Sequence, residues 1–204
     1  MSLFQQLRRR EAEDRPIRIV VAGCGKFATM FLAQVRHTPG MDVVWVIDLA
    51  VDRARDNLVK AGFDAAAVRA ADLDMALSTS GVLCTDAVDD RIADLRLDVL
   101  VEATGDPAAG FDHAWRAIRA GKHVIMVNVE ADVAVGPILA RDAQRQNVVY
   151  GFAYGDQPAL IAELVDWART CGLPVVAAGK GTRYLPAFHR STPETVWTNM
   201  GFDP

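Results

Sequence analysis

The stretch Ile17-Arg-Ile-Val-Val-Ala-Gly23-Cys24-Gly25-Lys26-Phe27-Ala28-Thr-Met-Phe31 reads as a buried β-strand, a glycine turn and the first turns of a helix. In that order the spacing has physical meaning. Gly23 permits a tight turn, Gly25 lacks the Cβ that would block a pyrophosphate, and Ala28 is small enough for the helix to lie close to the strand. The free N–H groups of the helix, with Lys26 and Phe27 in its first turn, then face the phosphates. Twenty residues past Ala28 a second apolar run, Val43-Val-Trp-Val-Ile47, ends in Asp48, whose carboxylate can accept both hydroxyls of an adenosine ribose. Alone, G-x-G-x-x-A is a common glycine turn. Followed by a second strand that ends in an acid, it predicts a dinucleotide site.

The 204 residues suffice for one large domain, or one domain and part of another. Half of them are hydrophobic (51%) and a quarter charged (24%), a globular composition. A net charge of −4 does not supply the positive field of a phosphate-backbone binder, so no nucleic-acid partner is expected. The basic run Arg8-Arg-Arg10 is answered at once by Glu11, Glu13 and Asp14 and reads as a solvated helix face. Cys24, Cys84 and Cys171 are far apart, with no C-x-x-C and no paired histidines, so neither a disulfide framework nor a metal site is indicated. Cys24 reads as a small filler in the turn rather than as an activated thiol. No apolar run reaches membrane-span length, and the N-terminus carries charges where a signal peptide needs an apolar core. A cytoplasmic protein without a membrane partner is expected.

In chain order, residues 2–14 predict a short helix capped by Ser2, with Leu3, Phe4 and Leu7 on one side and Pro16 as its stop. Strands are predicted at 17–22, 43–48, 82–85, 99–103, 123–128 and 148–153, separated by helices. The helix after the glycine turn carries Phe27, Met30, Phe31 and Val35 on one apolar face. The helix capped by Asp106-Pro107 does the same with Phe111, Ala114, Trp115 and Ile118. Six strands alternating with helices predict an α/β fold, a Rossmann-type doubly wound parallel sheet. The expected division is an N-terminal helix at 1–15, a dinucleotide-binding domain at 16–153, and the start of a second, α+β substrate region at 154–204. That last part contains an amphipathic helix at 157–170, with Leu160, Ile161, Leu164, Val165 and Ala168 inward, and an apolar strand at 174–178. About fifty residues are few for a substrate region, so the chain is expected to be incomplete, or to borrow that region from a partner.

In a doubly wound sheet, ligands lie beyond the carboxyl ends of the strands. Four such ends carry candidates: Gly23 to Ala28, Asp48, Thr104-Gly105-Asp106, and Asn128-Val-Glu130. Thr104 and Gly105 are expected beside the nicotinamide. Asn128 and Glu130 either orient that ring or polarise a substrate carbonyl, or they cap a helix. Asp48 favours NAD, while Arg53 and Arg55 can turn toward a 2′-phosphate and admit NADP, so the coenzyme is left as NAD or NADP. Proton handling requires a positioned side chain, and Lys180, Tyr184, Asp156 and His189 are the candidates. Lys180, between two glycines after an apolar segment, is favoured over its alternative as a surface lysine. His113 and His123 fall in elements that look structural.

Gly23 to Ala28, Val101-Glu-Ala-Thr-Gly105, Gly121-Lys-His-Val-Ile-Met-Val-Asn-Val-Glu-Ala131, Tyr154-Gly-Asp156-Gln-Pro-Ala159 and Ala178-Gly-Lys180-Gly-Thr-Arg-Tyr184-Leu-Pro186 together resemble the homoserine-dehydrogenase-like oxidoreductases that carry a C-terminal SAF domain. The resemblance runs from about residue 16 to 198. It implies an NAD(P)-dependent oxidoreductase with a Rossmann domain, a catalytic and dimerisation region, and a distal SAF domain, hence a homo-oligomer. The implied partner is a small-molecule substrate, a polar hydroxy or keto compound. The family includes deoxyxylulose-phosphate reductoisomerase-like enzymes. That reading needs a divalent metal, for which Glu130 and Asp156 are the nearest carboxylates. A third reading is a regulatory module that binds NAD(P) without catalysis.

Overall fold

The computed structural model describes residues 2–153, 157–179 and 185–200. The chain divides into two compact units, Met1–Ala153 and Tyr154–Pro204.

The first unit opens with α1 (Leu3–Ala12), β1 (Ile17–Ala22), α2 (Lys26–Val35), β2 (Met41–Ile47), α3 (Val51–Lys60), α4 (Leu73–Thr79) and β3 (Leu83–Thr85). It continues with β4 (Val99–Glu102), α5 (Pro107–Arg119), β5 (His123–Met126), α6 (Val129–Arg145) and β6 (Tyr150–Phe152). All six strands join one parallel sheet in the order β3-β2-β1-β4-β5-β6. The fold is therefore the doubly wound α/β, Rossmann-type architecture. Chain progression reverses between β1 and β4, which makes the crevice above their carboxyl ends the switch point.

The strands are apolar throughout because both faces are covered. Val20, Trp45, Leu100 and Met126 pack with Leu73 of α4, Ile118 of α5 and Leu139 of α6. Ile19, Val21, Val43 and Val46 pack with Leu32 of α2 and Leu58 of α3 on the other face. A bulge shifts the pairing from Ile19↔Val43 to Val20↔Trp45, leaving Val44 as the extra residue. Trp45 and Ile47 thereby share a face with Val20 and Ala22, and the strand delivers Asp48 to the rim.

Several local expectations shift. Helix α1 ends at Ala12, before Pro16, because Asp14 adopts φ 51°, and its Leu3 and Phe4 are exposed. Helix α2 buries Ala28, Leu32 and Val35, while Phe27 and Met30 are exposed. Both stripes of this helix are apolar; the glycine turn decides between them by setting Ala28 against the sheet. Helix α5 buries Gly110, Ala114, Ala117 and Ile118, leaving Phe111 and Trp115 stacked at the surface with centroids 6.5 Å apart. Small residues win the inward face because the helix lies close to its neighbours: a Cβ on Gly110 would stand 2.7 Å from the Ala131 Cβ of α6.

In the second unit, α7 (Gln157–Thr170) is followed by a short 3-10 turn, Pro186–Arg190, and α8 (Val196–Met200). Residues 174–178 form no strand, since no described strand pairs with them, and Val176 is fully exposed. Ile161, Val165 and Ala168 are half-buried on α7, whereas Leu160 and Leu164 of the expected inward face are exposed.

Gly23 has φ 86°, and a Cβ there would lie 2.6 Å from the Ala103 carbonyl oxygen. Gly23→Ala combines left-handed strain with a backbone clash and is expected to cost about 2 kcal/mol or more. Urea unfolding of the variant beside the parent protein measures the loss.

Candidate dinucleotide crevice

Three turns meet above the switch point. Gly23 follows β1, donates its N–H to the Ile47 carbonyl at 2.7 Å, and lies against Ala103 and Thr104 after β4. Gly25 is the N-cap of α2 and supplies no side-chain cap, so the first N–H groups of that helix remain available. A Cβ on Gly25 would meet nothing within 4 Å, which leaves a backbone surface open to an anion. These features fit a dinucleotide pyrophosphate.

Asp48, one residue past β2, is almost wholly buried, its side chain 8% exposed. Its Oδ2 accepts the Cys24 N–H at 2.8 Å, and its Oδ1 accepts the Ala50 N–H at 2.9 Å and Arg53 at 3.1 Å. Burial alone would raise this carboxyl, but the two N–H donors and the guanidinium outweigh it and hold it below the ordinary carboxylate value. Asp48 is thus a clamp on the glycine turn as well as a ribose candidate. Asn57 completes the clamp by donating to the Cys24 carbonyl at 2.9 Å. The Cys24 side chain is buried, and burial pushes its thiol up to about 11. It fills space.

One cavity of about 440 Å³ is lined by Gly23, Asp48, Arg53, Thr104, Asp106 and His113, among others. A second, of about 450 Å³, is lined by Gly25, Lys26, Thr29, Arg53 and Asn57, among others. Arg53 belongs to both. Ala28 lies buried beneath α2. Phe27, Gly105, Asn128 and Glu130 line neither cavity. Glu130 is exposed on the first turn of α6.

Asn128 settles on the capping alternative. Its Oδ1 accepts the Ala131 N–H at 3.1 Å, and its Nδ2 donates to the Asp106 carbonyl at 2.8 Å and to Thr104 Oγ1 at 3.3 Å. Buried and fully engaged, it positions Thr104 and Asp106. Beneath them Glu102 is completely buried at the end of β4. Its Oε1 accepts from Thr104 Oγ1 at 2.6 Å and lies 3.4 Å from His113 Nδ1, while Oε2 has no partner among the described residues. His113, set aside as structural from the sequence, therefore reaches the cavity wall with its ring held by a carboxylate. The available signal was Glu102 itself, an acid closing a run of buried aliphatic residues.

Lys180, Asp156 and Tyr184 lie outside the described residues. Among the described residues, no group of three or more His, Cys, Asp or Glu side chains is placed to hold a metal ion, and no helix is long and apolar enough to cross a membrane.

Residues 23–152 match the family model described as "Homoserine dehydrogenase, NAD binding domain". Residues 155–202 match the model described as "Oxidoreductase DRL, catalytic domain". No curated protein matches. Among solved structures, an NAD-binding oxidoreductase from Klebsiella pneumoniae is 18% identical, with a TM-score of 0.52 over 77% of this chain and 39% of that one. A homoserine dehydrogenase from Thiobacillus denitrificans is 22% identical, with a TM-score of 0.51 over 67% and 29%. The WlbA dehydrogenase from Bordetella pertussis, in complex with NADH and UDP-GlcNAcA, is 19% identical, with a TM-score of 0.51 over 78% and 43%. These likenesses establish the fold. The chain spans less than half the length of each.

Asp48→Ala frees the Cys24 and Ala50 N–H groups and is expected to lower unfolding stability at pH 7 by about 1–3 kcal/mol. The native carboxyl titrates below its unfolded value of about 3.9. Its contribution is therefore complete above about pH 4 and fades as pH falls through the lower native value. Urea titrations across pH 7 to 2 are expected to show the gap between parent and variant narrowing only in the acid range.

Proposed function

Since the chain belongs to the family of homoserine dehydrogenase NAD-binding domains, we propose that it binds NAD(P)(H) across the β1/β4 crevice and forms the coenzyme-binding part of an oxidoreductase. The observation that carries this reading is the uncapped start of α2 at Gly25, facing open space where a side chain would otherwise stand. Helix N–H groups there meet the pyrophosphate, the adenosine ribose lies at the Asp48 side of the cavity, and Thr104 faces the nicotinamide half. The bound nicotinamide supplies hydride-transfer chemistry.

The protein's own residues do the rest. Asn128 and Glu102 fix Thr104 at the mouth of the cavity, and Asp48 and Asn57 keep the glycine turn in shape. The match of residues 155–202 to an oxidoreductase catalytic domain supports a catalytic role for the second unit and favours an enzyme over a regulatory module. Within it Lys180 is the residue that binds the substrate oxygen and handles its proton, with Asp156 and Tyr184 as the further candidates. The substrate is a small polar hydroxy or keto compound, and the working assembly is a homo-oligomer.

Fluorescence titration with NADH and NADPH tests the reading. Saturable binding of at least one is expected, weakened about tenfold or more by Gly25→Val, whose side chain occupies the phosphate surface, with an unchanged melting temperature. No binding of either up to millimolar concentration sinks the proposal. In the active assembly, Lys180→Ala is expected to lower kcat by about 10²–10⁴-fold while leaving the coenzyme dissociation constant unchanged. Stopped-flow turnover beside equilibrium titration separates the two effects.

A further inference from the structure

The wall that carries Thr104 is built around a carboxylate in a costly place. Glu102 is wholly buried, and only one of its oxygens is engaged: Oε1 accepts from Thr104 Oγ1 at 2.6 Å and from the Thr104 N–H at 3.3 Å, while Oε2 has no partner among the described residues. A buried carboxylate calls for a compensating positive charge. Among the described residues its ion-pair partner is His113 of α5, with Nδ1 3.4 Å from Oε1. The His113 side chain is 14% exposed and lines the cavity, so a proton from solvent reaches the ring although Glu102 itself is sealed off.

The same cavity is poor in positive charge. Asp48 past β2, Asp86 past β3 and Asp106 at the start of α5 line it, against Arg53 of α3, which is committed to Asp48 at 3.1 Å. Nearby on α5, Asp112 is held by Arg116 at 2.8 Å, and on α6 Asp132 accepts the Tyr150 hydroxyl at 2.6 Å. A diphosphate thus arrives at an acidic wall whose lining includes one imidazole, the side-chain type that changes charge near neutral pH. A neutral ring has one N–H to give; a protonated ring has two, one for Glu102 and a second for a ligand oxygen. Protonation also cancels the charge of Glu102 beneath Thr104. Both effects favour an anionic ligand.

We propose that Glu102 and His113 are positioning residues whose charge state controls the crevice: binding of the dinucleotide draws a proton from solvent onto the His113 ring, and the coenzyme is held more tightly in acid. This inference rests on the dinucleotide reading above. If the complex favours the protonated ring, the ring titrates at a higher pH in the complex than in the free protein. Affinity then rises as pH falls through the midpoint of the complex, and the gain is complete below the midpoint of the free protein. A displacement of one pH unit between the two midpoints corresponds to about tenfold in affinity.

Isothermal titration calorimetry with NAD+ from about pH 8.5 to about pH 5.5 spans the range in which an imidazole changes charge. The dissociation constant is expected to fall about tenfold, with net proton uptake on binding. The same scan with NADP+ is read as the difference between parent and His113→Gln, because its 2′-phosphate itself titrates there. Both His113→Gln and Glu102→Gln are expected to abolish the slope, but at opposite levels. His113→Gln stays at the weak, alkaline affinity, whereas Glu102→Gln, which keeps an acceptor for Thr104 and loses the charge, binds at alkaline pH at least as tightly as the parent. A merely structural role would weaken both variants alike. Proton NMR of the parent gives a second measurement: the His113 ring signal, identified by its loss in His113→Gln, is expected to titrate at a higher pH once coenzyme is bound. A pH-independent dissociation constant in the parent, the parent's slope retained in His113→Gln, or an unmoved ring titration overturns this inference and leaves the dinucleotide reading standing. Binding of neither coenzyme at any pH overturns both.

Discussion

At the switch point of the sheet, the main chain of Gly23 approaches that of Ala103 and Thr104 so closely that no side chain fits between them. That contact sets the geometry of the crevice. It brings the carboxyl end of β1 against that of β4, which places the start of α2 beside the turn leading to α5. The Gly23 N–H to Ile47 carbonyl and Ala103 N–H to Ala22 carbonyl bonds tie the ends of β2, β1 and β4 through main-chain atoms, and the Asp48 carboxylate locks the arrangement by accepting the Cys24 N–H. Main-chain ties of this sort leave a rigid, side-chain-poor surface, which is what close approach of a phosphate requires.

The far wall of the crevice is held differently, by buried polar side chains. Glu102, Thr104, His113 and Asn128 form one connected network under the β4–α5 turn. Taking a carboxyl group out of water is costly, and here one of its oxygens finds no partner among the described residues. An aliphatic residue would pack there at lower cost. What the network adds is direction: it orients Thr104, and through Asn128 the Asp106 carbonyl, at the rim of the cavity. A buried polar network of this kind is a local departure from the cheapest core.

How much of this was legible in the sequence follows from what each feature depends on. The six strands and their order of use were readable, because strands covered on both faces are continuous aliphatic runs bounded by glycine and proline. The inward faces of α2 and α5 were not. Both helices carry two apolar stripes, and the choice between them is made by the small residues Ala28, Gly110, Ala114 and Ala117, which permit close packing. A scale that rewards bulk points to Phe27, Phe111 and Trp115 instead. The segment 174–178 has the composition of a strand but no described neighbour to complete its hydrogen bonds. In the crevice, spacing sufficed to put Gly23, Gly25 and Asp48 just past the carboxyl ends of β1 and β2. The pairing of Glu102 with His113, eleven residues apart, depends on where α5 docks, and no local pattern encodes that.

The double duty of Asp48 has a consequence for how such a crevice can change its coenzyme. An acid at the end of the second strand is usually read as a selectivity residue, free to vary with the ligand. Here the same carboxylate caps the glycine turn, so replacing it disturbs the phosphate surface along with the ribose site. Arg53 shares in that clamp through its contact with Asp48, while Lys26 lies at the surface on the first turn of α2. The clamp ties the glycine turn to the end of β2, so a change at Asp48 is felt at the start of α2 as well as at the rim of the sheet.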